Sequence, residues 1–255
     1  MHIIDCKAIA ATVLNESTIE RLKDRVLHVV MKNKNPDNLS YLKSIYKMAK
    51  NLGVSVPVYS VPNTVPLSDA VNTLMGIKPL PDNEKILFLG YNEEEVTELW
   101  RGSPSLNICQ VLDNPMDRIA TRAVRLSLYN VMSVTMILPK RTTIIGRSEL
   151  AIGCGTDLLK CNHTVTFVHT KTEDMADYLK DADIIVSFAG SPNLITVDMV
   201  KDGSIIISVG CSMKDGKLCG DIDMNSMQNK NVAVTPTLGG IGALTTALLF
   251  SELAK

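Results

Sequence analysis

The run Thr142-Thr143-Ile144-Ile145-Gly146-Arg147-Ser148 decides how this chain is read. Four β-branched residues suit a buried strand, and the glycine that follows permits the tight turn by which a strand hands over to a helix. Such a turn presents backbone N–H groups to a phosphate, and Arg147 adds a side chain able to form a charge-assisted pair. Taken alone, the run is equally compatible with a structural turn carrying an exposed arginine.

Outward from this run, apolar segments rich in Val and Ile alternate with segments of helical period, the pattern of an α/β chain with a parallel sheet. Toward the C-terminus the expected order is strand 142–145, a glycine-containing turn, helix 155–161, strand 164–168, helix 173–180, strands 183–187 and 204–209, and a final helix 244–255. This is a Rossmann-like half. Toward the N-terminus, strands are expected at 26–30, 54–59 and 85–89, with a helix at 38–52 closed by Gly53, a residue that accepts the left-handed backbone of a helix end. A helix at 120–131 leads into the connection, so the boundary is placed near 135–140, dividing the chain into domains 1–137 and 138–255. Helix 244–255 is free to pack back onto the first domain. Residues 91–117 show no clear period, and no internal repeat is present.

The 255 residues are 45% apolar and 21% charged, with a formal net charge of −1, which fits a soluble globular protein. That balance offers no electrostatic case for nucleic acid or an anionic membrane, and a small ligand is the better expectation. Cys6, Cys109, Cys154, Cys161, Cys211 and Cys219 lack C-x-x-C spacing and read as reduced thiols of a cytoplasmic protein. Charged residues in Met1-His2-Ile3-Ile4-Asp5-Cys6-Lys7 stand where a signal peptide needs an apolar core. The charge-free stretch 231–251 reaches the ~20 residues of a spanning helix. It contains Pro236, three glycines and four threonines, and only about 243–250 reads as helix. His2, His28 and His163 are not spaced as ligands, so no metal is expected.

A second signal is Val168-His169-Thr170-Lys171-Thr172 at the end of the next strand. In a dinucleotide fold this strand end faces the adenosine ribose, where NAD-selective proteins often carry an acidic residue. Here the place holds His, Thr, Lys and Thr. Arg147 and Thr170 are therefore read as clasping a 2′-phosphate, which favours NADP, with NAD as the alternative.

Further motifs follow in order: Asp181-Ala182-Asp183-Ile184, Gly190-Ser191-Pro192, Met199-Val200-Lys201-Asp202-Gly203, Gly220-Asp221-Ile222-Asp223 and Thr235-Pro236-Thr237-Leu238-Gly239-Gly240-Ile241-Gly242. With the two strand-end signals, they resemble the G-R-S, H-S-K-T, A-D-I, G-x-P, M-V-K-x-G, G-D-V and T-P-V-P-G-G-V-G-P-M-T motifs of the methylenetetrahydrofolate dehydrogenase/cyclohydrolase family. Asn35-Pro36-Asp37-Asn38-Leu39-Ser40-Tyr41 extends the resemblance to the family's N-P-A-S-x-x-Y. The resemblance implies a folate-type substrate domain, an NAD(P)-binding domain, a cleft between them, and dimers paired through the cofactor domains. It places cofactor contacts at Gly146, Arg147, Ser148, His169, Thr170, Gly190, Gly210 and Thr235, and folate contacts at Tyr41, Gly239 and Gly240.

The catalytic positions depart from the family. The lysine four residues after the tyrosine is Ile45, which can neither donate, accept nor carry charge. Tyr46 and Lys50 repeat the spacing five residues on, rotated ~140° around a helix of 3.6 residues per turn. Family V-Q-L-P-L-P reads Phe88-Leu89-Gly90-Tyr91-Asn92-Glu93, so the partner glutamine is Leu89. No D-V-D-G stretch is present, P-C-T-P is replaced near Pro115-Met116-Asp117-Arg118, and two family prolines of the last loop are Leu238 and Ala243.

The two family reactions make unequal demands. Hydride leaves a methylene carbon flanked by two nitrogens that stabilise the cation, so the protein mainly supplies alignment. Hydrolysis of the methenyl product moves protons, and a positioned acid or base is worth on the order of 10²–10⁴ in rate. Loss of the lysine therefore injures hydrolysis more. Three readings stand: the bifunctional family activity, a dehydrogenase without hydrolysis or with another small substrate, and an inactive or repurposed NAD(P)-binding homologue. They are separated by whether Lys43, Lys47 or Asp117 lies beside Tyr41.

Overall fold

The computed structural model describes residues 1–32, 36–75, 80–91, 95, 111–112, 122–127 and 140–255. Trp100, Asp117 and most of the region 91–117 lie outside these residues. A short strand β1 (His2–Ile3) is followed by helices α1 (Cys6–Val13) and α2 (Glu16–Arg21). Then come β2 (Val26–Lys32), α3 (Pro36–Leu52), β3 (Val58–Val61), α4 (Leu67–Met75), β4 (Glu84–Leu89) and β5 (Val111–Leu112). After a helical stretch at 122–127 the chain continues with β6 (Arg141–Ile145), α5 (Glu149–Lys160), β7 (Thr164–Val168), α6 (Met175–Lys180), β8 (Ile184–Ser187) and β9 (Ile205–Ser208). The last elements are β10 (Cys211–Lys214), β11 (Lys217–Gly220), β12 (Ala233–Val234) and α7 (Ile241–Leu253).

The chain forms two units, Met1–Thr12 with Met116–Thr245 and Val13–Pro115 with Thr246–Lys255. A single boundary near 135–140 does not describe this division. The reason is long-range strand pairing: β1 lies parallel to β12 with His2 opposite Ala233 and Ile3 opposite Val234, which carries the first residues into the C-terminal sheet. At the other end, Thr246–Lys255 groups with the second unit, where the Lys85 Nζ donates to the Glu252 carbonyl oxygen at 2.8 Å.

In the first unit six parallel strands run in the order β1-β12-β9-β8-β6-β7. All four residues of β8 and of β9 are buried, as expected of parallel strands covered on both faces, and this is why they read as unbroken apolar runs. Ile145, Val168, Ile185, Ile206 and Val234 share one core with Leu179, Ile195, Ile222 and Met227. From β6 the chain steps outward to β7 and then returns to the other side of β6 as β8. The strand order thus reverses between β6 and β8, the place where open α/β sheets bind ligands beyond their strand C-termini.

The second unit carries a parallel sheet in the order β3-β2-β4-β5. Val30, Val61, Ile86 and Phe88 pack with Leu67, Ala70 and Val71 of α4 on one face. Helix α3 starts two residues earlier than the sequence reading, at Pro36, whose fixed φ suits the first helical position. It ends before Gly53 at φ 71°. Leu42, Ile45 and Ala49 are buried at i, i+3 and i+7, forming its apolar seam.

Candidate functional site at the strand C-termini

Register aligns the ends of β6, β7 and β8. Ile145 stands opposite both Val168 and Ser187, and the Gly146 N–H donates to the Val168 carbonyl at 2.8 Å. Arg147 and Thr170, each two residues beyond this aligned pair, therefore leave neighbouring strand ends at the same level. Both are exposed, and the Arg147 guanidinium has no hydrogen bond or ion pair among the described residues. Ser148 is the N-cap of α5, its hydroxyl accepting from the Ala151 N–H at 3.2 Å. This cap, rather than the glycines at 153 and 155, starts the helix, which is why α5 begins six residues before the expected 155.

Beyond β7 the chain holds itself in a tight turn. The Thr172 hydroxyl accepts from the His169 N–H at 3.0 Å, and the Thr172 N–H donates to the His169 carbonyl at 2.8 Å. His169 Nδ1 accepts from the Lys171 N–H at 3.1 Å, which puts the proton of the neutral ring on Nε2. The turn is thus shaped before any ligand arrives.

A buried carboxylate organises the next two strand ends. Asp221 is fully buried; its Oδ2 accepts from the Ser187 hydroxyl at 2.6 Å and the Ala189 N–H at 3.1 Å, and its Oδ1 from the Ser191 N–H at 2.8 Å. Its own N–H donates to the Ser208 hydroxyl at 3.0 Å, which in turn donates to the Gly210 carbonyl at 3.0 Å. A side-chain carbon on Gly210 would stand 2.5 Å from both Asp221 Oδ2 and the Gly190 nitrogen, so glycine is required there by close approach. Thr235 joins the network through its hydroxyl, which accepts from the Ser208 N–H at 2.9 Å. Gly146, Arg147, Ser148, His169, Thr170, Gly190, Gly210 and Thr235 accordingly all follow the C-termini of β6, β7, β8, β9 and β12. Asp221 was not picked out from sequence as a site residue, although the motif Gly220-Asp221-Ile222 marked its place.

The loop after β12 carries Gly239 at φ 74° and Gly240 packed on the Pro236 carbonyl, and leaves Leu238 72% exposed. The Lys7 side chain, from α1, lies against Gly239. Sequence reasoning gave Lys7 no role.

In the second unit, Tyr41 is partly buried on α3, and desolvation pushes its phenol well above the ordinary tyrosine range. Ile45 is 0% and Leu89 3% exposed, the latter opposite Met31 in the sheet. Lys43, Lys47 and Lys50 are exposed, as is Tyr46. A lysine that sequence reasoning passed over, Lys32 at the end of β2, is ion-paired with Glu95 and lies 5.4 Å from the centre of the Tyr91 ring.

Comparison with known proteins gives this geometry a context. A family model described as tetrahydrofolate dehydrogenase/cyclohydrolase, NAD(P)-binding domain matches residues 123–255. The chain is 30% identical over 279 residues to the "Bifunctional protein FolD" of Pelotomaculum thermopropionicum, covering 99% of this chain and 96% of that one. Among solved structures, it is similar to the bifunctional FolD enzyme of Campylobacter jejuni with a TM-score of 0.78 at 24% identity, covering 100% and 97% of the two chains. A FolD of Trypanosoma brucei, solved with NADP cofactor and an inhibitor, gives a TM-score of 0.78 at 23% identity, with 98% and 95% covered.

Proposed function

Because the chain belongs to the tetrahydrofolate dehydrogenase/cyclohydrolase family, we propose that it is an NADP-dependent 5,10-methylenetetrahydrofolate dehydrogenase whose cyclohydrolase step is lost or weakened. The observation that carries this reading is the contrast between its two halves. The residues proposed to meet the nucleotide follow neighbouring strand ends, and Arg147 among them has no hydrogen bond or ion pair among the described residues, while the position matched to the family lysine holds a fully buried isoleucine.

The dinucleotide fits the residues present. Gly190, at φ 58°, has no atom nearer than 3.7 Å to where a side-chain carbon would stand, and Arg147 has no hydrogen bond or ion pair among the described residues. Arg147 and Thr170 would hold the 2′-phosphate, with Gly146, Ser148 and the His169 turn beside it, and the Gly190, Gly210 and Thr235 segments would line the path toward the hydride-accepting ring. The bound cofactor supplies the hydride acceptor. The folate contacts that the family resemblance implies are Gly239 and Gly240 in the first unit and Tyr41 in the second. Proton transfer, by contrast, has no donor at Ile45 or Leu89, so water attack on the methenyl carbon loses its assistance. The alternative of a non-catalytic NAD(P)-binding homologue predicts cofactor binding without NADPH formation.

Calorimetric titration is expected to give tighter binding of NADP than of NAD. Replacing Arg147 by alanine removes a charge-assisted contact worth ~1.5–3 kcal/mol, so NADP affinity should fall ~10- to 150-fold with little change for NAD. An NADP affinity within twofold of the parent would show that Arg147 does not read the phosphate. NADPH formation from methylenetetrahydrofolate tests the activity itself.

The same reading includes a homodimer. Among the described residues strand β7 is a sheet edge; Phe167 on it, 44% exposed, lies against α5 at Gly155, and Ile152 and Leu159 of that helix are each 52% exposed. Edge strands with apolar side chains are surfaces that proteins cover. Phe167→Asp is expected to sediment as a monomer at concentrations where the parent is dimeric, with an unchanged circular dichroism spectrum. A variant that still dimerises like the parent places the contact elsewhere.

A further inference from the structure

Resting on the folate reading above, we infer that Lys7 is a substrate-binding residue, whose ammonium and the adjoining Gly239–Gly240 backbone form a subsite for a carboxylate or carbonyl oxygen of the substrate. Strands β1 and β12 are parallel neighbours, and the Ile4 N–H donates to the Val234 carbonyl at 2.8 Å. The turn into α1 and the loop after β12 therefore leave the same edge of the sheet side by side. Asp5 Oδ1 accepts from the Lys7 N–H at 3.1 Å and the Ala8 N–H at 2.9 Å, which fixes Lys7 in the first turn of α1.

From there its side chain crosses Gly239. A side-chain carbon built on Gly239 would stand 2.5 Å from Lys7 Cε, 3.5 Å from Cδ and 3.4 Å from Nζ, and the residue adopts φ 74°. Glycine suits the left-handed backbone, and its missing side chain leaves the space that the lysine crosses. The ammonium at the end of this path is exposed and has no hydrogen bond or ion pair among the described residues. It stands at the ligand-binding edge of the sheet, at the opposite end from β6 and β7, where the adenosine phosphate is assigned. A dinucleotide held by its adenosine phosphate at Arg147 would extend toward this end, with the substrate next to its hydride-accepting ring. A free ammonium there selects an anionic or carbonyl oxygen and disfavours a cationic ring. A reduced folate offers such groups at both ends, the carbonyl of its pteridine ring and, in its benzoylglutamate tail, the amide carbonyl and the glutamate carboxylates.

The test is calorimetry at saturating NADP on the full-length parent, Lys7→Met and Lys7→Arg, titrated with tetrahydrofolate and with 6-methyltetrahydropterin, which keeps the ring carbonyl and lacks the benzoylglutamate. Lys7→Met is expected to weaken tetrahydrofolate binding ~10-fold or more, the scale of a hydrogen bond to a charged group, while Lys7→Arg stays within about threefold and NADP affinity is unmoved. A penalty that vanishes with 6-methyltetrahydropterin assigns the benzoylglutamate tail; one that persists assigns the ring oxygen. Equal tetrahydrofolate affinity in Lys7→Met and the parent overturns the inference and leaves the folate reading standing. A parent that binds no tetrahydrofolate overturns both.

Discussion

Asp221→Ala is expected to destabilise the nucleotide unit by about 3–5 kcal/mol and to weaken NADP binding by more than tenfold. The carboxylate is fully buried and satisfies three donors, the Ser187 hydroxyl and the Ala189 and Ser191 N–H groups. Removing the carboxylate leaves the buried Ser187 donor and the part-buried Ala189 and Ser191 donors without it, at ~1–3 kcal/mol for a fully buried group and less where water or a rotated hydroxyl relieves it. The two backbone donors cannot rotate in this way. They belong to the segment after β8 that contains Gly190, so their release loosens the backbone beside which the dinucleotide is proposed to lie. Asp221→Asn keeps one acceptor oxygen but turns an N–H toward a donor, and should fall between parent and alanine variant. Urea unfolding followed by NADP titration checks both effects. A parental midpoint together with parental affinity in Asp221→Ala would contradict the organising role.

Why such a residue escapes sequence reading is a matter of distance along the chain. Strands β8 and β9 are legible because burial on both faces demands Ile and Val at every position, and the residues after each strand inherit their place from it. Asp221 acts on partners 30 to 34 positions away, and no periodicity records that. Strand β1 escaped for the same reason, being two residues long and paired with β12 near the other end of the chain. The β10–β11 hairpin had a local signal that was passed over: Asp215 and Gly216, at φ 51° and 72°, form the Asp-Gly turn that suits two-residue hairpins. Lys7 and Gly239 meet through the β1–β12 pairing, so their contact became visible once the strand order was known.

The double variant Ile45→Lys with Leu89→Gln is expected to leave cyclohydrolase activity at the level of the parent, which itself should open methenyltetrahydrofolate no faster than buffer. Ile45 belongs to the apolar seam of α3 with Leu42 and Ala49, and it is completely enclosed; Leu89 is 3% exposed. A lysine placed there loses its water without gaining the polar neighbours that serve it in the family. Burial depresses such an amine by up to ~3–5 pKa units, at about 1.4 kcal/mol per unit, so the folded state holds it neutral at the cost of several kcal/mol. The sign follows from proton counting. Between the depressed folded value and the unfolded value of ~10.4, the unfolded chain binds a proton that the folded chain does not. Stability of the variant should therefore rise with pH across that window, relative to the parent. Urea midpoints at neutral and alkaline pH, set beside hydrolysis rates, measure both consequences. Substantial hydrolysis in the variant, with no pH-dependent deficit in stability, would show a polar pocket lacking nothing but its catalytic pair. Hydrolysis by the parent would point instead to a recruited acid or base: Lys43 and Lys47 face solvent, while Lys32 at the C-terminal end of β2 keeps its ammonium in an ion pair with Glu95, so Lys32→Met tests a recruited acid and Lys43→Met and Lys47→Met a recruited base.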